Sequence, residues 1–146
     1  MSVAGPASSP ALDPTAAFLI DSDVVIEHLR GRAWAAGLLA SIATSGGVVY
    51  YSPVTTAEIY QGIRSGEEVA TERLFTNLPC LQIDDAVGRQ AGEYLRRFRA
   101  SHGLALGDAL IGATARAHDL VLLTLNRRHY PMPDVRLATL PDDRQR

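Results

Sequence analysis

Ala17-Phe18-Leu19-Ile20-Asp21-Ser22-Asp23-Val24 is a short apolar run that stops on an acid. Unbroken apolarity over a few residues, without alternation, is the pattern of a strand covered on both faces, as in a parallel sheet. The carboxylate of Asp21 then stands at the strand's C-terminal end. Downstream, Val24 to Leu29 and then Trp34, Leu38, Leu39 and Ile42 recur at helical spacing. Gly46-Gly47 breaks that pattern before a second β-rich run, Val48-Val49-Tyr50-Tyr51. Ser52-Pro53 opens another helix, since a proline in the first turn costs no hydrogen bond. Ile59 and Ile63 supply its buried face, and Leu74 and Leu78 that of a following helix.

A brief strand is expected at Leu81-Gln82-Ile83. It leads into a long helix from Asp84 to His102, with Val87, Ala91, Leu95 and Phe98 on one stripe and Gly103 as its stop. Asp108 to His118 reads as a further helix, Leu120 to Thr124 as a fourth buried strand, and Val135 to Ala138 as a short fifth. Strands alternating with helices predict an α/β fold, a three-layer α/β/α sandwich with a mostly parallel central sheet. The folded domain is expected to span 16–140. It would follow a flexible extension at 1–15, rich in Ala, Ser and Pro, and precede a tail at 141–146.

Composition narrows the chemistry. The chain has 146 residues, 47% of them hydrophobic, which suits one core and is too short for two comfortable domains. No apolar run approaches the roughly 18 residues of a membrane span, and no secretory signal leads the chain, so a soluble cytoplasmic protein is expected. The lone cysteine, Cys80, has no disulfide partner and reads as a packing residue. A net charge of -2 argues against gripping nucleic acid by bulk positive charge, so such contacts must be local. All basic residues are Arg; lysine chemistry is excluded.

In a parallel sheet the strand C-termini share one edge, and ligands bind there. Asp21, Ser22 and Asp23 follow the first strand, Glu58 lies in the helix after the second, and Thr124 and Asn126 follow the fourth. Asp108 starts the helix that feeds that fourth strand, and such a helix begins at the same edge. Carboxylates brought together repel unless a cation sits among them, and oxygen donors without zinc-type ligands point to Mg²⁺ or Mn²⁺. Such an ion acidifies a bound water and neutralises a phosphate oxygen.

Each residue also has a plainer role. Asp23 reads first as a helix N-cap. Glu58 stands three residues after Thr55, the spacing of a capping box, and Asp108 after Gly107 also suits a cap. Asn126 with Arg127-Arg128 suits a turn. Asp21 favours function, because an acid abutting a fully apolar strand is desolvated and needs a partner. His28, His102, His118 and His129 lack metal-ligand spacing and read as surface or helix-end residues. Arg96, Arg97 and Arg99 read as a solvated helix face, and Tyr60 is near enough in sequence to Glu58 to line the cleft.

Four blocks in order carry a resemblance: Leu19 to Val24; Ser52-Pro53 through Thr56-Ala57-Glu58-Ile59-Tyr60-Gln61-Gly62; Gly107-Asp108 through Ala115; and Leu123-Thr124-Leu125-Asn126-Arg127-Arg128-His129-Tyr130. Together, over about Phe18 to Leu137, the chain resembles the PIN-domain ribonucleases of VapC type, toxins of toxin–antitoxin pairs. The resemblance implies Asp21 and Asp108 as main ligands of Mg²⁺ or Mn²⁺, Glu58 as the third acid, and Ser22 and Thr124 as small hydroxyl groups near the metal. It further implies cleavage of single-stranded RNA, a cognate VapB-like antitoxin covering the site, and a homodimer. Asn126, counted with Asp21, Glu58 and Asp108 among the catalytic residues, stands where many members carry a fourth acid, which leaves one metal ion or two open. Two alternatives share the opening motif. A haloacid-dehalogenase-like phosphatase would want a second acid where Gly112 stands, and a non-enzymatic receiver-like binding domain would want a lysine.

Overall fold

The structure is a computed structural model that describes residues 16–141. The expected extension at 1–15 and most of the expected tail lie outside the described residues. Four strands form one sheet: β1 Ala17–Ile20, β2 Val48–Tyr50, β3 Val121–Leu123 and β4 Arg136–Leu137. Their order is β2-β1-β3-β4 and every pairing is parallel. Six α-helices cover it: α1 Ser22–Leu29, α2 Ala33–Thr44, α3 Pro53–Gln61, α4 Glu68–Thr76, α5 Asp85–His102 and α6 Leu106–Ala117.

β1 sits inside the sheet with Phe18, Leu19 and Ile20 fully buried. Alternation along the strand sends Phe18 and Ile20 into one core with Val24, Val25, Trp34 and Leu38, and Leu19 into the other with Ala91, Tyr94, Ile111 and Leu122. Each such side chain contributes on the order of 2 kcal/mol by leaving water. The unbroken apolar run is therefore what a strand sandwiched between two helical layers requires.

Local signals explain the helix starts. Ser52 caps α3, its hydroxyl accepting from the Val54 N–H at 3.1 Å with Pro53 at the first helical position. Asp84 caps α5 through the Val87 N–H at 2.9 Å, and Gly103, at φ +63°, ends it in the left-handed conformation.

Three expectations need correction. Leu81-Gln82-Ile83 is no strand. The chain there makes only a bridge between Tyr51 and Cys80, because Pro79 precedes it and the cap at Asp84 follows at once. The sheet accordingly has four strands rather than five. Cys80 is exposed, not packed, since it lies on that irregular connection. On α5 the deeply buried stripe is Val87, Ala91 and Tyr94, whereas Leu95 and Phe98 are only half-buried.

Candidate metal centre

β1 delivers Asp21 to the C-terminal edge of the sheet, 5% exposed, and Asp21 is itself the N-cap of α1. Its Oδ1 accepts the Ser22 N–H at 2.8 Å. Its Oδ2 accepts from the Thr124 hydroxyl at 2.9 Å and the Tyr130 hydroxyl at 2.7 Å. Three donors from two ends of the chain thus converge on one carboxylate.

Asp23 is not the cap. It lies in the first turn of α1, and its Oδ2 accepts from the Leu125 N–H at 2.9 Å, the Asn126 side-chain amide at 2.9 Å and Thr124 at 3.3 Å. This ties α1 to the turn after β3. Burial, reinforced by the negative charge of Asp21, pushes the Asp23 carboxyl up to about 7. Its Oδ1 is buried without a partner.

Glu58 is not part of a capping box either, because Ser52 caps α3 and Glu58 stands in the helix's second turn. Its Oε1 is buried and has no hydrogen-bond partner. Burial raises its proton affinity, and the charges of Asp21 and Asp108 raise it further against the opposing hydroxyl of Ser22. Gly107 makes room: a Cβ there would stand 3.2 Å from Glu58 Oε2. The Ala105 cap of α6 makes no side-chain bond, so Asp108 in the first turn is free of capping duty. Asp108 is likewise raised, by burial first and then by Asp21, with His129 acting against the shift. Its Oδ2 lies 3.4 Å from His129 Nδ1, and the Tyr130 hydroxyl reaches its Oδ1 at 3.4 Å.

Asp21, Glu58 and Asp108 therefore share one electrostatic neighbourhood, with Ser22 and Thr124 beside them. Asn126 joins it through its side-chain amide on Asp23 and its backbone N–H, which donates to the Thr124 hydroxyl oxygen at 3.1 Å, so it stands one residue removed from Asp21. Two residues of the site escaped the sequence reading. His129 pairs with Asp108 rather than standing apart, and the buried Tyr130 touches both Asp21 and Asp108. Their signal was position, within a few residues of Thr124 on the turn leaving β3. Tyr60 is a correction of the opposite kind. Its hydroxyl donates to Glu72 on α4 at 2.8 Å and its ring stacks on Phe75, and it does not line the cleft beside Glu58.

The donor set suits a hard divalent cation: carboxylate oxygens, two of them with raised proton affinity, and one buried oxygen with nothing to bind. Among the described residues no group of three or more acidic, histidine or cysteine side chains already forms a metal-holding cluster. Asp21 and Asp108 are hydrogen-bonded within the chain, whereas Glu58 Oε1 is not. Beside Glu58 a cleft of about 190 Å³ runs between α1, α3 and α4, floored by Ile26, Leu29, Ile59 and Ile63 and flanked by Arg30 and Arg64.

A PIN domain family model matches residues 18–135. The chain is 44% identical over 115 residues to Ribonuclease VapC10 of Mycobacterium tuberculosis, covering 78% of this chain and 86% of that one. Among solved structures, VapBC2 from Rickettsia felis, bound to a DNA fragment from its promoter, superposes with a TM-score of 0.72 at 19% identity, covering 86% of this chain and 99% of that one. VapBC-5 of Mycobacterium tuberculosis, a member of the VapBC family of toxin–antitoxin systems, gives 0.60 at 21% identity, covering 86% and 99%.

Proposed function

We propose, from the premise that this chain belongs to the PIN-domain family and within it to the VapC ribonucleases, that it is a toxin that cleaves RNA at Asp21, Glu58 and Asp108. The observation that carries this reading is the buried, unpaired Oε1 of Glu58 at the edge where Asp21 and Asp108 also stand, near enough for their charges to act on it. The family match also disposes of the phosphatase and receiver alternatives.

Asp21 and Asp108, with Glu58, would hold Mg²⁺ or Mn²⁺. When bound, such an ion supplies positive charge for a phosphate oxygen and acidifies a water. The chain's own residues do the rest. Thr124, Tyr130 and the Ser22 N–H fix the carboxylate plane of Asp21. His129 holds Asp108 from the solvent side. Glu58, whose proton affinity is raised by burial, is placed to take the proton of the attacking water on Oε1. Asn126 steadies Asp23 and contributes no ligand charge.

The partner is a VapB-like antitoxin, and the cleft beside Glu58, with isoleucines and a leucine at its floor and Arg30, Arg64 and Glu67 around it, suits a segment that brings both apolar and charged side chains to cover the acids. The active unit is a homodimer. With Mn²⁺, purified protein is expected to cut a single-stranded RNA internally and to leave a small phosphomonoester untouched. Chelation should stop cleavage without melting the fold, because Asp21, the most buried of the three acids, is hydrogen-bonded by Ser22, Thr124 and Tyr130. If RNA survives with Mn²⁺ present while the phosphomonoester turns over, the nuclease assignment is wrong.

A further inference from the structure

α4 presents two different sides. Thr71, buried, and Glu67 line the cleft beside Glu58, whereas Val69, Glu72, Arg73 and Thr76 recur at i, i+3, i+4 and i+7 and form one stripe on the opposite side of the helix. With Tyr60 and Glu68 this stripe lines an open depression of about 620 Å³. Four large apolar side chains are exposed among the described residues, and two of them, Tyr60 at 38% and Val69 at 69%, stand here together. A lone exposed apolar residue is ordinary, but two in one depression beside unmatched charges mark a contact surface. The charges are unmatched in that Arg73 has no acidic partner, and neither Glu68 nor Glu72 a basic one, among the described residues. The Tyr60 hydroxyl, donating to Glu72 Oε1 at 2.8 Å, holds that carboxylate in place.

We propose that this face of α4 docks a second copy of the chain, the two α4 helices packing antiparallel about a twofold axis. An acid followed directly by a base on such a stripe is complementary to itself. An axis passing between Glu72 and Arg73 sets Glu72 opposite Arg73 of the second copy and Arg73 opposite Glu72 of the second copy, and the same register sets Val69 opposite Thr76 of the second copy. Both charges are then matched and Val69 is covered. RNA suits the face poorly, since two acids stand there against one arginine. The cleft beside Glu58, on the other side of α4, is left open. The inference rests on the homodimer of the reading above, for which it names the face, and is independent of RNA cleavage.

The test is sedimentation equilibrium of the full chain purified without any partner protein. The wild type should be dimeric, and Glu72→Arg and Arg73→Glu should each weaken the dimer by at least about 100-fold, because each variant sets two like-charge pairs face to face. Mixed in equal amounts, the two variants should form a heterodimer of near wild-type affinity, since every pair is again opposite in sign. The Glu72→Arg, Arg73→Glu double variant should dimerise by itself for the same reason. Arg64→Glu, the same reversal on the cleft side, should leave the dimer intact. A monomeric wild type, single variants that stay dimeric, a mixture that stays monomeric, or equal weakening by Arg64→Glu would overturn the proposal. Should a charge variant misfold, Val69→Asp decides, since an acid is tolerated in the first turn of α4: a folded monomer by circular dichroism supports the face and a folded dimer refutes it. Cleavage of a single-stranded RNA with Mn²⁺ is followed separately. A dimer that passes these tests and cuts no RNA keeps this face and loses the nuclease, whereas a wild type that cuts RNA as a monomer does the reverse.

Discussion

Two buried tyrosines in this molecule donate to an aspartate, and their surroundings differ in one respect. Tyr94 on α5 reaches Asp134 Oδ1 at 2.8 Å, and Arg116 on α6 closes on the other oxygen of Asp134 at 2.6 Å. Tyr130 reaches Asp21 at 2.7 Å, and among the described residues no basic side chain pairs with Asp21, Asp23 or Glu58. The first arrangement is self-neutralising and serves packing between α5, α6 and the loop before β4. The second gathers carboxylates, with His129 on Asp108 as the one basic side chain beside them among the described residues. The two differ less in their polar groups than in the charge their surroundings leave uncompensated.

The largest effect should come from breaking the uncompensated side. Asp21→Asn or Asp108→Asn preserves shape, yet RNA cleavage is expected to fall by at least about 100-fold, since a metal contributes several kcal/mol to such reactions. Circular dichroism should show an intact fold. Wild-type rates in either variant would make the two tyrosine pairs equivalent and remove the basis of the comparison.

Acid–base behaviour comes next in size. The Asp23 carboxyl sits at about 7 in the folded protein against 3.8 as its ordinary value, so the folded state binds its proton more tightly than the unfolded state does. That contribution to stability is complete below the ordinary value and is lost as pH rises through the folded one. In chelator, the melting temperature should therefore rise on going from about pH 8 to about pH 5, by an amount equivalent to on the order of 2–4 kcal/mol. Asp23→Asn should flatten this slope. An undiminished slope in that variant would assign the pH sensitivity elsewhere.

On the compensated side, Tyr94→Phe removes one buried hydrogen bond and should cost about 1–2 kcal/mol of stability in denaturant titration. Mn²⁺ affinity should not change; if it does, the two regions are coupled in a way their separate contacts do not suggest. Asn126→Ala should be the mildest variant, lowering cleavage only a few-fold, as befits one lost donor to Asp23. A complete loss would promote Asn126 to a direct role.

The parts of the fold that could be read in advance are those specified by neighbours in sequence. β1, β2 and β3 are apolar runs, Ser52-Pro53 opens α3, and Gly103 closes α5, all as local rules require. Leu81 to Ile83 misled because its composition is strand-like while its backbone has room for only a bridge between a proline and a cap. Asp23 misled by a shift of frame: Asp21 and Asp23 flank Ser22, and the cap fell to Asp21 because the extended backbone of β1 continues through it, at φ -83° and ψ 160°. Among the acids, Asp21, Glu58 and Asp108 were legible from topology, since strand order alone brings them to one edge. Tyr130 and His129 were not. Nothing local marks a tyrosine for a carboxylate 109 residues away.

That separation has a consequence for synthesis. Thr124 and Tyr130, two of the three donors that hold Asp21, lie 103 and 109 residues downstream of it. A nascent chain that has emerged only through α5 possesses Asp21 and Glu58 but neither Asp108 nor the turn that orients the first acid. Contacts of such span form late, because a long loop must close before they can. The edge that gathers Asp21, Glu58 and Asp108 is therefore assembled last as the chain is made.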